Sequence, residues 1–157
     1  MTISFTGALE NRLVGDVFHD RNGDPSAPTA LLLHGGGQTR HAWGGTAERL
    51  AARGWRAIAL DQRGHGDSDR IASGAYGFRD FGADARRVAQ ALAHGSGRAP
   101  VAIGASLGGL ASILALGDDP GAPPCFSALV LVDIVPQMDP RGVDRIQSFM
   151  LAHAADG

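Results

Sequence analysis

The chain has 157 residues, a net charge of −2 and a pI near 6.3, enough for one domain with a real core but without the basic field that nucleic acid or an anionic membrane demands. All 14 cationic residues are arginine, which excludes a lysine Schiff base, a Ser–Lys dyad and a Walker-type phosphate loop. Cys125 is the single cysteine, no apolar run reaches the roughly 18–20 residues of a membrane span, and "MTISFTGALENR" lacks a signal-peptide pattern, so a cytoplasmic location is expected.

No internal repeat or low-complexity segment is present. Loose alternation over 3–20 predicts an antiparallel hairpin, and "NGDPSAP" (22–28) is turn chemistry. "TALLLHGGG" (29–37) is a continuous apolar run that stops on three glycines, as suits a strand buried on both faces of a parallel sheet. "AWGGTAERLAARG" (42–54) reads as a helix closed by Gly54. "WRAIALDQRGHGDSD" (55–69) repeats the run-then-glycine unit, "PVAIGAS" (100–106) is a third, and "ALVLVDIVP" (128–136) a fourth. Between them, Phe78, Phe81, Ala85, Val88, Ala89 and Leu92 form one helical stripe, and Leu107, Leu110, Ala111 and Leu114 another. "GAPPCFS" places Cys125 in a loop with no expected catalytic role.

Strand alternating with helix means βαβ units and a mostly parallel sheet covered on both faces. Ligands then bind beyond the carboxyl ends of the strands, where every glycine-rich stretch falls. Gly104-Ala105-Ser106-Leu107-Gly108 matches G-x-S-x-G. Alone that match is weak. With a buried strand before it and an amphipathic helix after it, it predicts a nucleophile elbow, a tight turn that lifts a serine Oγ above the sheet. The competing reading is a glycine-rich turn whose serine merely caps a helix. Acyl transfer also needs N–H donors aimed at developing negative charge: the Leu107 N–H directly follows the serine, and either Gly36 or Gly37 suits the second. A dinucleotide-binding reading of the glycines fails, because position 40 is Arg40 rather than glycine.

"LLLHGGGQTRHAW", "ALDQRGHGDSD" and "GASLGG", in this order and spacing, resemble the α/β-hydrolase superfamily, in its serine esterase, C–C hydrolase and cofactor-free peroxidase-like branch. The resemblance covers roughly residues 12–150 and implies an N-terminal portion only, about six of eight sheet strands. It divides the chain into an incomplete core over 1–135 and the start of a lid over 136–157. It implies Ser106 as nucleophile and the Gly36 and Leu107 backbone N–H groups as oxyanion-hole donors, and it needs no cofactor or metal. The serine itself points to acyl transfer, since relatives that dehalogenate or open epoxides carry aspartate there. Gln38 and Trp43 fall on the entrance loop by the same likeness, although Trp43 is expected to pack under helix 42–52.

The family order is Ser, then Asp or Glu, then His. Five of the six histidines (His19, His34, His41, His65 and His94) precede Ser106, and only His153 follows it, on a helical stripe. His34 is expected to shape its loop and His65 to be structural; Asp61, Asp67 and Asp69 look like turn-formers. Asp133, at the end of the fourth run, is the candidate acid. The usual base is thus not in this chain, and a serine without one is a poor nucleophile. The expectation is a serine hydrolase of ester, thioester or activated C–C bonds, inactive as these 157 residues. Its partner is a small-molecule acyl substrate, with neither nucleic acid nor membrane. Two alternatives stand beside it: a non-catalytic ligand-binding or partner-pairing protein that self-associates through the open sheet edge, and a short enzyme with His153 or His65 as an unusual base.

Overall fold

The computed structural model describes residues 1–20, 23, 24, 26–117 and 121–134. The hairpin is β1 (Thr2–Thr6) and β2 (Arg12–Phe18), antiparallel with Thr2 opposite Asp16. Then follow β3 (Thr29–Leu33), a 3-10 helix (Arg40–Trp43), α1 (Gly44–Ala51), β4 (Arg56–Leu60), α2 (Phe78–Ser96), β5 (Val101–Ala105), α3 (Leu107–Gly117) and β6 (Ala128–Val132). The six strands form one sheet in the order β1-β2-β4-β3-β5-β6, with β4, β3, β5 and β6 parallel and β2 antiparallel to β4.

The central strand explains its own sequence. β3 lies between β4 and β5, and all five of its residues are buried. Leu31 and Leu33 join Ile58, Leu60 and Ala102 under α2 and α3, in a core with Phe81, Ala85, Val88, Ala89, Leu92, Ala111 and Ala115. Leu32 points the other way, onto Ala47, Ala57, Ala59 and Trp43 beneath α1. A strand covered on both faces has no polar side, hence "ALLL" without alternation. Each of those leucines contributes about 1.5–3 kcal/mol through burial.

The longest helix, α2, is bounded at both ends by local chemistry. The Asp80 carboxylate accepts the Gly77 N–H at 2.8 Å across the first turn of α2, and Gly97 closes that helix at φ 71° with its N–H on the Ala93 carbonyl at 2.7 Å. Two expectations need correction. Phe78, placed in the core stripe, is 47% exposed, because it opens the helix before α2 settles on the sheet. α3 buries Gly108, Gly109, Ala111, Ser112 and Ala115, so of the expected stripe only Ala111 is fully buried, while Leu107 packs half-buried against the core. Small residues face the sheet there because the helix approaches it too closely for larger ones. β6 is the expected open edge: it ends the sheet, with Val130 45% and Val132 39% exposed. Among the described residues nothing pairs with its outer edge.

Topology locates the site. From β3 the chain moves to β4 on one side, then returns across β3 to β5 on the other. That reversal opens a crevice beyond the carboxyl ends of β3 and β5, the place where open α/β sheets bind ligands.

Candidate active site

Ser106 stands in that crevice. It links β5 directly to α3 at φ 46°, a left-handed conformation that a serine side chain rarely adopts, and its side chain is exposed. The turn is held on three sides. The Ser106 N–H donates to the Val132 carbonyl at 3.2 Å, the Gly108 N–H to the His34 carbonyl at 3.1 Å, and the Leu110 N–H to the Ser106 carbonyl at 3.0 Å. The flanking glycines are required by close approach: a Cβ on Gly104 would lie 2.4 Å from the Gly108 carbonyl oxygen, and one on Gly108 only 2.2 Å from that of Leu33. The turn is therefore a strained elbow packed hard against β3, not a loose glycine-rich bend with a capping serine.

The loop after β3 faces it. A Cβ on Gly35 would lie 3.6 Å from Ser106 Cβ, so backbone and serine meet with no side chain between them. His34 is fully buried. Its Nε2 accepts the Gln62 N–H at 3.1 Å, which puts the ring proton on Nδ1, and Nδ1 donates to the Gly35 carbonyl at 2.7 Å. Burial pushes the His34 pKa below its ordinary value, and the neighbouring His65 adds to this, so the ring is a neutral donor. The Gln38 N–H reaches the same Gly35 carbonyl at 3.2 Å. A peptide is planar and trans, so gripping that carbonyl aims the N–H at its far end, which is Gly36's. Among the described residues the Gly36 and Leu107 N–H groups donate to nothing.

His65 uses both ring nitrogens as well, Nδ1 on the Arg63 carbonyl at 2.9 Å and Nε2 accepting the Gly37 N–H at 3.2 Å. Neither His34 nor His65 has a lone pair left for Ser106. His19 follows β2 and His94 ends α2, both at the opposite end of the sheet. His41 is exposed on the 3-10 helix and acts on the Asp16 carboxylate, which the Thr2 and Arg40 hydrogen bonds hold below the usual range despite its burial. Asp133, directly after β6, adopts φ 53°, is exposed, and meets no histidine among the described residues. His153 and the expected lid over 136–157 lie outside the described residues.

Sequence reasoning missed two buried ion-pair systems that hold the loop after β4. Asp61, read as a turn-former, is fully buried, accepting the Arg40 N–H at 2.6 Å, the Arg40 guanidinium and the Asp67 N–H at 2.9 Å. Arg63 is fully buried too, with Nε and Nη2 on the two oxygens of Asp84 at 2.7 Å each. The signal was there in "DQRGHG", charged residues ending a strand that is otherwise apolar, but it does not say which partner each finds. Trp43 packs on the α1 face, as expected, with Nε1 buried. Cys125 is buried, its Sγ 3.5 Å from the Ala115 carbonyl, and burial pushes its thiol pKa up, away from reactivity. Among the described residues no cluster of His, Cys, Asp or Glu could hold a metal ion, and no helix is long and apolar enough to cross a membrane.

Fold and site together define an α/β hydrolase. The chain belongs to the family described as having the alpha/beta hydrolase fold, whose model matches residues 28–155. Among curated proteins it is 37% identical over 111 residues to the esterase Rv0045c of Mycobacterium tuberculosis, covering 71% of this chain and 34% of that protein. To protein phosphatase methylesterase 1 of Bos taurus it is 28% identical over 144 residues, covering 90% and 37%. A crystal structure of an alpha/beta hydrolase from Novosphingobium aromaticivorans superposes with a TM-score of 0.78 at 30% identity, over 96% of this chain and 50% of that one. The chain therefore spans about a third of the length of those curated relatives and half of that structure.

Proposed function

We propose that the protein cleaves an ester, a thioester or an activated C–C bond through an acyl-enzyme on Ser106. The observation that carries this reading is the exposed serine at φ 46°, beside two N–H groups, of Gly36 and Leu107, that have no partner among the described residues. For an ester, Ser106 Oγ attacks the carbonyl carbon and gives up its proton, and the carbonyl electrons move onto oxygen. That oxygen lies where the two N–H groups converge, and each such donor is worth about 100- to 1,000-fold in turnover. Collapse breaks the bond to the leaving alkoxide, which departs as the alcohol after taking a proton. Water then repeats the attack and releases the acid.

The proton acceptor comes from outside the described residues, since His34 and His65 are both committed to the loop. Asp133 remains the candidate acid: it follows Val132, which holds the elbow. The test uses p-nitrophenyl acetate with the protein expressed from its complete gene. Hydrolysis that Ser106→Ala abolishes supports the reading, and undiminished hydrolysis by that variant ends it. Exposed Val130 and Val132 on β6 favour a second reading, pairing of two copies through that edge. Size-exclusion chromatography that shows only a monomer at high concentration would dispose of it.

A further inference from the structure

The loop that carries Gly36 consists of three consecutive glycines, the residue type that loses most conformational freedom on ordering. Gly37 sits at φ 73°. Left to itself, such a loop would present its N–H groups in many directions. It is instead tied at each peptide in turn. The Gly35 N–H donates to Gln38 Oε1 at 3.0 Å, the next peptide is gripped through the Gly35 carbonyl, and the Gly37 N–H donates to His65 Nε2 at 3.2 Å.

The last of these ties comes from a different part of the chain, the loop after β4, and is anchored there. His65 Nδ1 donates to the Arg63 carbonyl at 2.9 Å. The Arg63 side chain in turn is fixed by the bidentate Asp84 pair and by the Ala75 carbonyl at 2.8 Å. The His65 ring also lies against His34, with centroids 4.9 Å apart, and near Phe81 of α2 at 6.3 Å. It thus touches both the far end of the glycine loop and the imidazole that grips its middle.

We infer that His65 is a positioning residue for the Gly36 donor. As a neutral imidazole it holds the Gly37 peptide from outside and backs the His34 ring, so that the Gly36 N–H keeps a single direction when charge develops on the substrate oxygen. It neither touches substrate nor receives the Ser106 proton. This inference rests on the reading of Gly36 as an oxyanion donor, and preorganised donors are where such alignment matters most.

The test separates the acceptor nitrogen from the ring. His65→Phe keeps a ring against His34 and Phe81 but cannot accept the Gly37 N–H, whereas His65→Gln carries an amide oxygen close to the place of Nε2. With p-nitrophenyl acetate and the protein expressed from its complete gene, His65→Phe is expected to lower kcat at least tenfold with KM within about threefold, and His65→Gln to recover most of it. A kcat for His65→Phe within twofold of the parent, or a His65→Gln variant that folds yet is no better, overturns the inference. Should the variants fail to fold, NMR on the uniformly ¹⁵N-labelled parent decides. A trans-hydrogen-bond N–N coupling between the Gly37 amide and His65 Nε2 is expected, and its absence overturns the proposal. That coupling is independent of turnover, and undiminished hydrolysis by Ser106→Ala would refute the serine reading without altering it.

Discussion

Replacing Gly108 with alanine tests how tightly the elbow is built. The new methyl would lie 2.2 Å from the Leu33 carbonyl oxygen, 2.5 Å from the Leu33 carbonyl carbon and 2.7 Å from Leu33 Cβ, more than an ångström inside ordinary contact with the oxygen. All of these belong to the middle of the sheet or its backbone, so no flexible side-chain end can move aside. Overpacking a rigid site costs about 1–3 kcal/mol, and two backbone segments in collision place this one at the upper end, about 3 kcal/mol. Pushing α3 away from β3 also stretches the bond from the Gly108 N–H to the His34 carbonyl, now 3.1 Å, for about 1 kcal/mol more. Urea unfolding followed by circular dichroism should show the midpoint falling at constant slope, a loss of about 3–4 kcal/mol in unfolding free energy. Gly95→Ala is the control: it lies in α2 with nothing within 4 Å and no positive φ, so it should stabilise by roughly 0.5 kcal/mol. A Gly108→Ala protein within about 0.5 kcal/mol of the parent would refute the geometry from which the elbow is argued.

The Arg63–Asp84 pair predicts a second loss. Arg63→Met leaves a buried carboxylate without its cation and should destabilise by about 3–5 kcal/mol, whereas the double variant Arg63→Met/Asp84→Leu should recover only part of this in the same unfolding assay, because the Ala8 N–H and the Asn11 amide also donate to Asp84. Stability should also depend on pH through His34. Burial holds its folded pKa below 6.5, so as pH falls past that value the unfolded chain binds a proton that the folded one refuses. Stability from this source is therefore constant above 6.5 and declines below it, toward the depressed folded value. His34→Gln, measured over the same range, should show a shallower decline; an unchanged slope would contradict it.

The sheet was legible because its chemistry is uniform along the chain. "ALLL" at 30–33 and "AIAL" at 57–60 are apolar without alternation, and only a doubly covered strand needs that. The elbow was legible for a related reason, since G-x-S-x-G carries its own steric demand, visible now as the 2.2 and 2.4 Å approaches at Gly108 and Gly104. What stayed hidden depends on pairing at long range. Nothing in "DQRGHG" tells that Asp61 finds Arg40, 21 residues earlier, or that Arg63 finds Asp84, 21 residues later. The α3 stripe misled for the opposite reason. Its leucines follow a helical period, but distance to the sheet selected Gly108, Ser112 and Ala115, beside Ala111 of the stripe, for full burial and left Leu107 half-buried. Nor could the letters reveal that both strand-end histidines spend their nitrogens on glycine-loop and neighbouring backbone groups, which is what removes them as bases.

The most direct measurement is to trap the nucleophile. The protein expressed from its complete gene is treated with a fluorophosphonate, digested and mapped by mass spectrometry. One phosphonyl group on the peptide that contains Ser106, absent from Ser106→Ala, is the predicted result. Stoichiometric modification of another residue, with Ser106 untouched, would contradict it.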